Sequence, residues 1–206
     1  DGHWAHNLDL HPLPYDPTAA EQELDAAGFL RGDDGRRFKL VLRNSTDRLR
    51  RAIALVIADA LGRIGIDTQV RVQDWGALYE DIQKGNFEVF SAQWTPVVEP
   101  HLMHWVFASR NIPGDGKPGG NRGGYRNPVV DDLLGQASSI VDGQRRAQLY
   151  QEVEAILATD LPYLSLWFEN SVVVTTDRVQ GFVPDRAGSL LGLAHVRVDD
   201  DVRDQP

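Results

Sequence analysis

The chain has 206 residues, 42% of them hydrophobic, and its 30 acidic and 21 basic side chains give a net charge of -9. This length suits one domain with a substantial core, and the acidic balance argues against binding of nucleic acid or an anionic membrane. The sequence contains no cysteine, which excludes disulfides and thiolate metal sites. No apolar run reaches the ~20 residues that span a bilayer, so we expect no membrane insertion.

Three helices are predicted in the first half of the chain. Asp16-Pro17 combines a cap with a proline at the first helical position, and Gly28 marks the end of this short helix. A longer helix follows the cap Asp47, and a third occupies residues 75–84 after the cap Asp74. The longer helix carries apolar residues at the 3.6-residue period, among them Leu49, Val56 and Leu61.

Strands are predicted between these helices, over residues 38–42, 68–72 and 87–93, because apolar and polar side chains alternate there. Strands that are joined by a helix of this length are normally parallel neighbours in one sheet. The first half of the sequence therefore predicts an α/β fold.

The second half begins with a weakly patterned, glycine-rich connection over residues 96–125, in which only residues 102–107 favour a helix. Asn127-Pro128 then opens a helix, and residues 144–159 form the next, so the two are predicted to make a hairpin. The tail carries strand-like runs, which lie over residues 163–168, 172–175, 181–183 and 193–198.

Several short motifs occur in the order seen in one known family. They are Tyr15-Asp16-Pro17-Thr18-Ala19-Ala20, Asp74-Trp75, Gly85-Asn86-Phe87-Glu88, Trp94, Glu99-Pro100, Asn127-Pro128 and Asp160-Leu161-Pro162. The series covers nearly the whole chain and resembles the C-terminal half of the peptide- and nickel-type (family 5) extracellular solute-binding proteins of ABC transporters.

The resemblance implies a two-lobed, periplasmic-binding-protein-like (type II) fold with a mixed sheet flanked by helices. Residues 1–206 would be its C-terminal lobe, a fragment without the N-terminal lobe. Residues 1–14 would lie near the hinge, and residues 193–198 would form a strand that returns to the missing lobe. Such lobes close on a ligand by a hinge motion.

The implied function is extracytoplasmic capture of a solute for an ABC importer of the peptide or oligopeptide type, with no catalysis and no cofactor. The implied partners are a small solute or peptide, an inner-membrane permease and the protein's own N-terminal lobe. The location would be periplasmic or otherwise extracytoplasmic, with a lipid anchor through a missing N-terminus left open. The alternatives are an α/β hydrolase of unknown substrate and a sensory or chaperone module that reuses the same lobe.

The resemblance places the ligand contacts at six residues, namely Trp94, Thr95, Val97, Val98, Tyr125 and Asn121. Peptide binders of this family carry an acid for the peptide amine where this chain has Val97, and a buried ammonium without a counter-charge is costly. We therefore expect a ligand that is not held by a free amine, which leaves sugars, modified peptides and lipid-like solutes open. Glu99 is read as a first-turn helix residue, although it could replace the missing acid.

For the other residues considered as ligand, metal or catalytic residues, a structural role is the simpler interpretation. Trp75 is read as a packing residue, with a place in the cleft as the alternative. The pairs His101/His104 and His3/His6 each share a spacing of three, but they lack further ligands, so we expect no metal site. The sequence contains neither a nucleophile elbow nor a metalloprotease motif.

Overall fold

The computed structural model describes residues 3–94, 99–114, 116–167, 172–185 and 189–199. These residues belong to two units, one made of Asp1–Gln93 and His101–Pro162 and the other of Trp94–Pro100 and Tyr163–Pro206. Among the described residues, no helix is long and apolar enough to cross a membrane.

The first unit begins with helix α1 (Pro17–Ala26), which is held by polar contacts. None of its residues is fully buried, so apolar packing contributes little to its stability. Instead Arg37, whose side chain is only 2% exposed, pairs with Asp25 and donates to the carbonyls of Phe29 and Ile64 at 2.6 and 2.8 Å. A largely buried guanidinium with several acceptors therefore ties α1 to the start of the sheet.

A three-stranded parallel sheet follows, made of β1 (Phe38–Ser45), β2 (Ile66–Gln73) and β3 (Val89–Phe90) in the order β2-β1-β3. Helix α2 (Arg48–Arg63) connects β1 to β2, and α3 (Trp75–Gln83) connects β2 to β3. The predicted strands are confirmed, although β1 and β2 are longer than expected and β3 is far shorter.

The predicted caps position these helices. Asp16, Asp47 and Asp74 each accept a hydrogen bond from the first helical turn, at 2.8 to 2.9 Å. Gly65 follows α2 with a φ of 90°, and a Cβ there would lie 2.8 Å from an Arg31 nitrogen, so this position requires glycine.

The core face of α2 differs from the sequence prediction. Leu49 and Val56, which share the predicted apolar period, are 61% and 71% exposed, whereas Ala54 is completely buried. The helix has apolar residues on more than one face, so periodicity alone could not select the face that meets the sheet.

The remaining helices and turns of the first unit follow the sheet in the chain. Helix α4 (Leu102–Phe107) and a 3-10 turn (Ser109–Asn111) precede the hairpin of α5 (Pro128–Ser139) and α6 (Gly143–Asp160), which confirms the predicted hairpin. Its core holds fully buried residues from both helices, namely Val130, Leu134, Leu149, Tyr150 and Val153.

Residues 3–10, here called the N-terminal strap, pack on this hairpin. Ala5 is buried in the hairpin core, and Asn7 donates to the Glu154 carboxylate and the Gln151 carbonyl at 2.7 and 3.2 Å. The guanidinium of Arg146 lies 5.4 and 5.5 Å from the ring centres of Trp4 and Tyr150, which contact each other edge to face at 6.2 Å. The strap is therefore an integral part of the first unit.

The second unit has little regular structure. Strands β4 (Val179–Gln180) and β5 (Arg197–Val198) form an antiparallel pair, and a 3-10 helix covers Leu190–His195. The parallel and antiparallel pairs thus lie in separate sheets.

In the described part of the tail, most of the predicted strands do not form. The described parts of the runs 163–168 and 172–175 are not in strands, and Phe168 lies outside the described residues. The run 193–198 is helical up to His195, where Ser189 caps Leu191, and only its last two residues form a strand. Residues of high β-propensity need a paired neighbour to form a strand, and in the described part of these runs only Arg197 and Val198, which pair with β4, have one.

Candidate functional site

The parallel sheet gives the first unit a defined edge for a binding site. Strands β1, β2 and β3 all end there, so three connections meet, made of residues 44–47, 73–75 and 91–93 and here called the carboxyl edge. In open α/β sheets, ligands bind in the crevice outside the carboxyl ends of the strands. This edge is therefore the candidate functional site.

Hydrogen bonds join the segment after β3 to β1 and to the first turn of α2. Ser91 donates its backbone N–H to the carbonyl of Arg43 at 3.2 Å, which continues the pairing of β3 with β1. Across the edge, the Arg50 guanidinium donates to the side-chain oxygen of Gln93 at 2.9 Å. The first turn of α2 is thereby linked to the segment that follows β3.

Asn44 places a buried polar group at this edge. The residue is completely buried, and its Oδ1 accepts the backbone N–H of Ser45 at 2.9 Å. Its Nδ2 has no hydrogen-bond partner among the described residues. An unsatisfied buried donor costs about 1–3 kcal/mol, so Asn44 is a candidate for interaction with a bound water or solute.

A polar network ties the ends of β1 and β2 to α3. Arg43 donates to Gln73 at 2.8 Å and to Asp81 at 3.0 Å, and Gln73 donates to the same Asp81 oxygen at 2.9 Å. The hydrogen bond from Gln73 lowers the pKa of Asp81, as do the bond from Asn86 and the nearby charge of Arg43. An ionised Asp81 thus fixes the orientation of α3 at the edge.

Helix α3 begins at the carboxyl edge and carries two aromatic side chains on one face. Trp75 and Tyr79 lie one turn apart with ring centres 5.9 Å from each other, and they are 45% and 37% exposed. The guanidinium of Arg122 lies over the Tyr79 ring at 5.2 Å. These three residues are here called the α3 strip. Because Trp75 is nearly half exposed, packing accounts for only part of its surface.

The glycine-rich connection that carries Arg122 is fixed to its neighbours. Gln83 and the backbone of Gly119 exchange hydrogen bonds at 3.2 and 3.3 Å. A methyl group at Gly120 would lie 2.4 Å from the Trp105 ring, so only glycine fits against this side chain. Gly119 and Gly120 are therefore held in place by specific contacts.

Asn121 and Tyr125, two of the predicted contact residues, lie together at the end of this connection. Asn121 is 1% exposed, and its Nδ2 donates to the carbonyls of Phe107, Ala108 and Tyr125 at 2.8 to 3.2 Å. Its Oδ1 accepts the N–H of Tyr125 at 2.9 Å. This geometry gives Asn121 a role in shaping the backbone, and its contact with a ligand stays a prediction.

The Tyr125 side chain points toward the end of α6. Its hydroxyl donates to Asp160, and Asn127 donates to the same carboxylate at 3.0 Å. Burial, followed by the bond to Asp160, raises the pKa of Tyr125 to about 12. The bonds from Tyr125 and then Asn127 lower the pKa of Asp160.

The structure gives no ligand-contact geometry for the other four predicted contact residues. Trp94 is half-buried and belongs to the second unit. Thr95, Val97 and Val98 lie outside the described residues. Their contacts with a ligand therefore stay predictions.

The histidine pair of α4 forms a stacked contact. The rings of His101 and His104 lie 5.2 Å apart, and His104 is buried beside Arg110. Burial, and then the charges of Arg110 and His101, lower the pKa of His104. In the described part of the chain, no group of three or more His, Cys, Asp or Glu residues could hold a metal ion.

Sequence reasoning missed Asn44, Tyr79 and Arg122. Asn44 carried a usable signal, because it ends a strand whose parallel neighbours were already predicted, and the carboxyl-edge rule points to such positions. Tyr79 could be placed on the same helix face as Trp75 from their spacing of four residues. The contact between Arg122 and Tyr79 depends on the path of the glycine-rich connection, which no local pattern specifies.

Comparison with known proteins gives consistent similarities. The chain is 28% identical over 186 residues to the oligopeptide-binding protein AppA of Bacillus subtilis, covering 85% of this chain and 33% of the relative. It is 24% identical over 188 residues to heme-binding protein A of Haemophilus influenzae, covering 90% and 33%. The chain thus spans about a third of the length of these relatives.

A solved structure supports the fold. The periplasmic binding protein DppA of Helicobacter pylori, in complex with the peptide STSA, matches with a TM-score of 0.79 and 26% identity over 96% of this chain and 37% of that one. The α/β class and the assignment to a single lobe of a periplasmic-binding-protein fold are thereby confirmed. None of these similarities favours a hydrolase.

The family model of bacterial extracellular solute-binding proteins, family 5 (middle part), matches residues 1–112. These residues include α1, the parallel sheet and α4, and they make up more than half of the chain. The chain therefore belongs to family 5 of the bacterial extracellular solute-binding proteins.

Proposed function

We propose that this chain is the solute-contacting C-terminal lobe of a protein that captures a solute outside the cytoplasm and delivers it to an ABC importer. The observation that carries the proposal is the carboxyl edge of a family 5 fold, with half-exposed aromatic rings beside it. Aromatic faces with a few polar groups are typical of small-molecule sites. The protein acts by binding and release, without catalysis.

The solute contacts the carboxyl edge, the α3 strip and the six residues Trp94, Thr95, Val97, Val98, Tyr125 and Asn121. The relatives bear the names of an oligopeptide binder and a heme binder, so the family tolerates chemically different solutes. Since Val97 occupies the position of an amine-binding acid, the solute is not anchored there by a free amine.

The remainder of the protein supplies the second lobe, and the tail of this chain packs against it. Relatives about three times as long support this, as does the exposure of the tail, since none of its described residues between 163 and 199 is buried. Residues 1–14 lead toward the hinge, and residues 193–198 return to the other lobe. The partner in transport is an inner-membrane permease, and the protein is extracytoplasmic, with a lipid anchor as one means of attachment.

Native mass spectrometry of the full-length protein from its source cells tests this function. We expect a retained small molecule that is unchanged by prolonged incubation, because a binding protein does not turn it over. A protein that retains no solute, or that converts it to a product, contradicts the proposal.

Variants of the full-length protein locate the site. Trp75→Ala and Trp94→Ala each remove an aromatic contact, and we expect each to weaken binding about tenfold, which corresponds to about 1.4 kcal/mol. Trp4→Ala is the matched control, because Trp4 is also 45% exposed and packs on Tyr150 and Arg146 of α6. Isothermal titration with the retained solute measures the affinities, and equal affinities in all variants contradict the proposed location.

A further inference from the structure

The end of α4 is organised around a buried histidine. His104 is 8% exposed, and its Nε2 lies at hydrogen-bonding distance from the guanidinium of Arg110 in the following 3-10 turn. A guanidinium can only donate, so Nε2 is the acceptor and the His104 ring is neutral. The ring of His101 stacks on that of His104, with 5.2 Å between the centres and 9° between the planes. The cluster therefore depends on one unprotonated nitrogen.

Charged groups from three elements act on His104. His101 is the residue before α4, Arg110 lies in the 3-10 turn, and Asp131 lies in the first turn of α5. Burial, followed by the charges of Arg110 and His101, holds the pKa of His104 below its usual value of 6.5. The opposite charge of Asp131 offsets only part of this shift. The surroundings of His104 therefore favour its neutral form.

The same turn holds the glycine-rich connection. The His104 carbonyl accepts a hydrogen bond from the Asn111 side chain at 2.7 Å, and the Asn111 carbonyl accepts the backbone N–H of Asn121 at 3.1 Å. The Asn121 side chain donates to the carbonyls of Phe107 and Ala108, where α4 ends. The connection is therefore attached at Asn121 to the end of α4 and to the turn that follows it.

Acid removes the hydrogen bond between His104 and Arg110. Protonation of Nε2 turns the acceptor into a donor, so two positive charges then face each other without a bond between them. Protonation of His101 places a further charge beside the stacked ring. Because the backbone of His104 also holds Asn111, displacement of the imidazolium loosens the turn after α4 and the attachment of Asn121.

We propose that His104 is a pH-sensitive switch: its neutral form holds the end of α4 and the glycine-rich connection together, and its protonation separates them and weakens solute binding. The effect on the solute rests on the proposed function, since Asn121 and Tyr125 are predicted contacts on this connection. Gln83 of α3 also binds the connection, at Gly119. A protein outside the cytoplasm is exposed to the pH of its surroundings, so this switch couples solute release to acidification.

The direction of the pKa shift of His104 sets the pH range. The neutral cluster contributes its full stability above pH 6.5, and this contribution is lost as the pH falls below 6.5 toward the pKa of the folded state. Because opening takes up one proton, the equilibrium constant for opening rises by at most about tenfold per pH unit.

Hydrogen exchange of the full-length protein, detected by mass spectrometry at about pH 8 and about pH 5, measures this opening across the range in which histidine titrates. After correction for the intrinsic pH dependence of exchange, we expect opening of the peptides that carry α4 and Asn121 to increase at least about threefold at the lower pH. Helix α2 contains no histidine and is the internal control. Equal opening of the α4 and Asn121 peptides at both pH values overturns the switch.

The variants assign the effect to one residue. His104→Gln keeps an acceptor for Arg110 but cannot be protonated, so its opening should be independent of pH. His101→Gln, at an exposed position, removes one of the charges that lower the pKa of His104, so the increase should begin at a higher pH. His11→Gln, an exposed histidine outside the cluster, is the matched control and should follow the wild type. A folded His104→Gln protein that still opens in acid, or an unshifted His101→Gln protein, overturns the assignment.

The small molecule that co-purifies with the full-length protein reports the effect on binding. Native mass spectrometry after exchange into each buffer gives the loaded fraction, which should fall at least about threefold at the lower pH in the wild type and stay unchanged in His104→Gln. Equal loading of the wild type at both pH values overturns the link to the solute. A protein that retains no small molecule at either pH contradicts the proposed function, while hydrogen exchange still decides on the switch.

Discussion

The helical hairpin of the first unit and the tail of the second unit contain similar numbers of aliphatic residues but use them in opposite ways. In the hairpin, Val130, Leu134 and Val153 are completely buried, whereas in the tail Val172 and Val174 are 82% and 90% exposed. Burial of apolar surface is the main favourable term in folding. The hairpin therefore contains its own source of stability, whereas Val172 and Val174 contribute little burial to the stability of this chain.

The largest expected effect comes from the hairpin core. Tyr150→Ala removes a fully buried ring, and we expect the free energy of unfolding to fall by about 3–5 kcal/mol. Urea denaturation measures the change. Tyr15→Ala is the control, since Tyr15 is 78% exposed and its replacement should cost less than about 0.5 kcal/mol. Equal losses in the two variants would mean that the hairpin core does not dominate stability.

A smaller loss is expected from the glycine-rich connection. Asn121→Ala leaves backbone groups of Phe107, Ala108 and Tyr125, which are buried or partly buried, without this partner, which costs about 1–3 kcal/mol. The same urea series measures it, with the exposed Asn86→Ala as control. If both variants unfold at the wild-type urea concentration, the hydrogen bonds of Asn121 contribute nothing net.

Tyr125 gives the first unit a pH dependence at high pH. Its pKa is raised from 10.0 to about 12, so its contribution to stability is complete below pH 10 and is lost as the pH rises toward 12. Tyr125→Phe should lack this loss. Unfolding free energies measured across that pH range, with Tyr15→Phe as control, test the expectation; a variant that follows the wild-type curve would refute it.

The smallest effect is expected in the tail. Val172→Ser combined with Val174→Ser should change the stability of this chain by less than about 0.5 kcal/mol, because both side chains are already exposed. In the full-length protein the same variant should be destabilised by more than about 1 kcal/mol, because each valine then loses burial. Equal, negligible effects in both proteins would show that the tail stays exposed.

This contrast also explains which elements the sequence could predict. The helices with an Asx cap and the strands β1 and β2 were predicted correctly, because hydrogen bonds within a few residues and alternation along one strand determine them. The tail strands were predicted from the same alternation, but in the described part of the chain only Arg197 and Val198 of these runs pair with another strand. Strand formation depends on residues distant in sequence, so local propensity was insufficient.

The residues of the candidate site also fall into two groups, those that local sequence patterns predict and those that only the fold reveals. The spacing of Trp75 and Tyr79 and the position of Asn44 after β1 can be derived from local patterns. The burial of Asn121 and the contact of Arg122 with Tyr79 require the folded path of a glycine-rich connection. These residues are therefore recognisable only after the elements on both sides have been packed.

The N-terminal strap has a mechanical consequence. Because Ala5 is embedded in the hairpin and Asn7 is tied to two residues one turn apart on α6, a force applied at His3 loads several contacts at once. The N-terminal strap is therefore coupled mechanically to the hairpin, and bending of the backbone is expected outside the strap. A displacement of His3 would therefore be transmitted to α6 through Ala5 and Asn7.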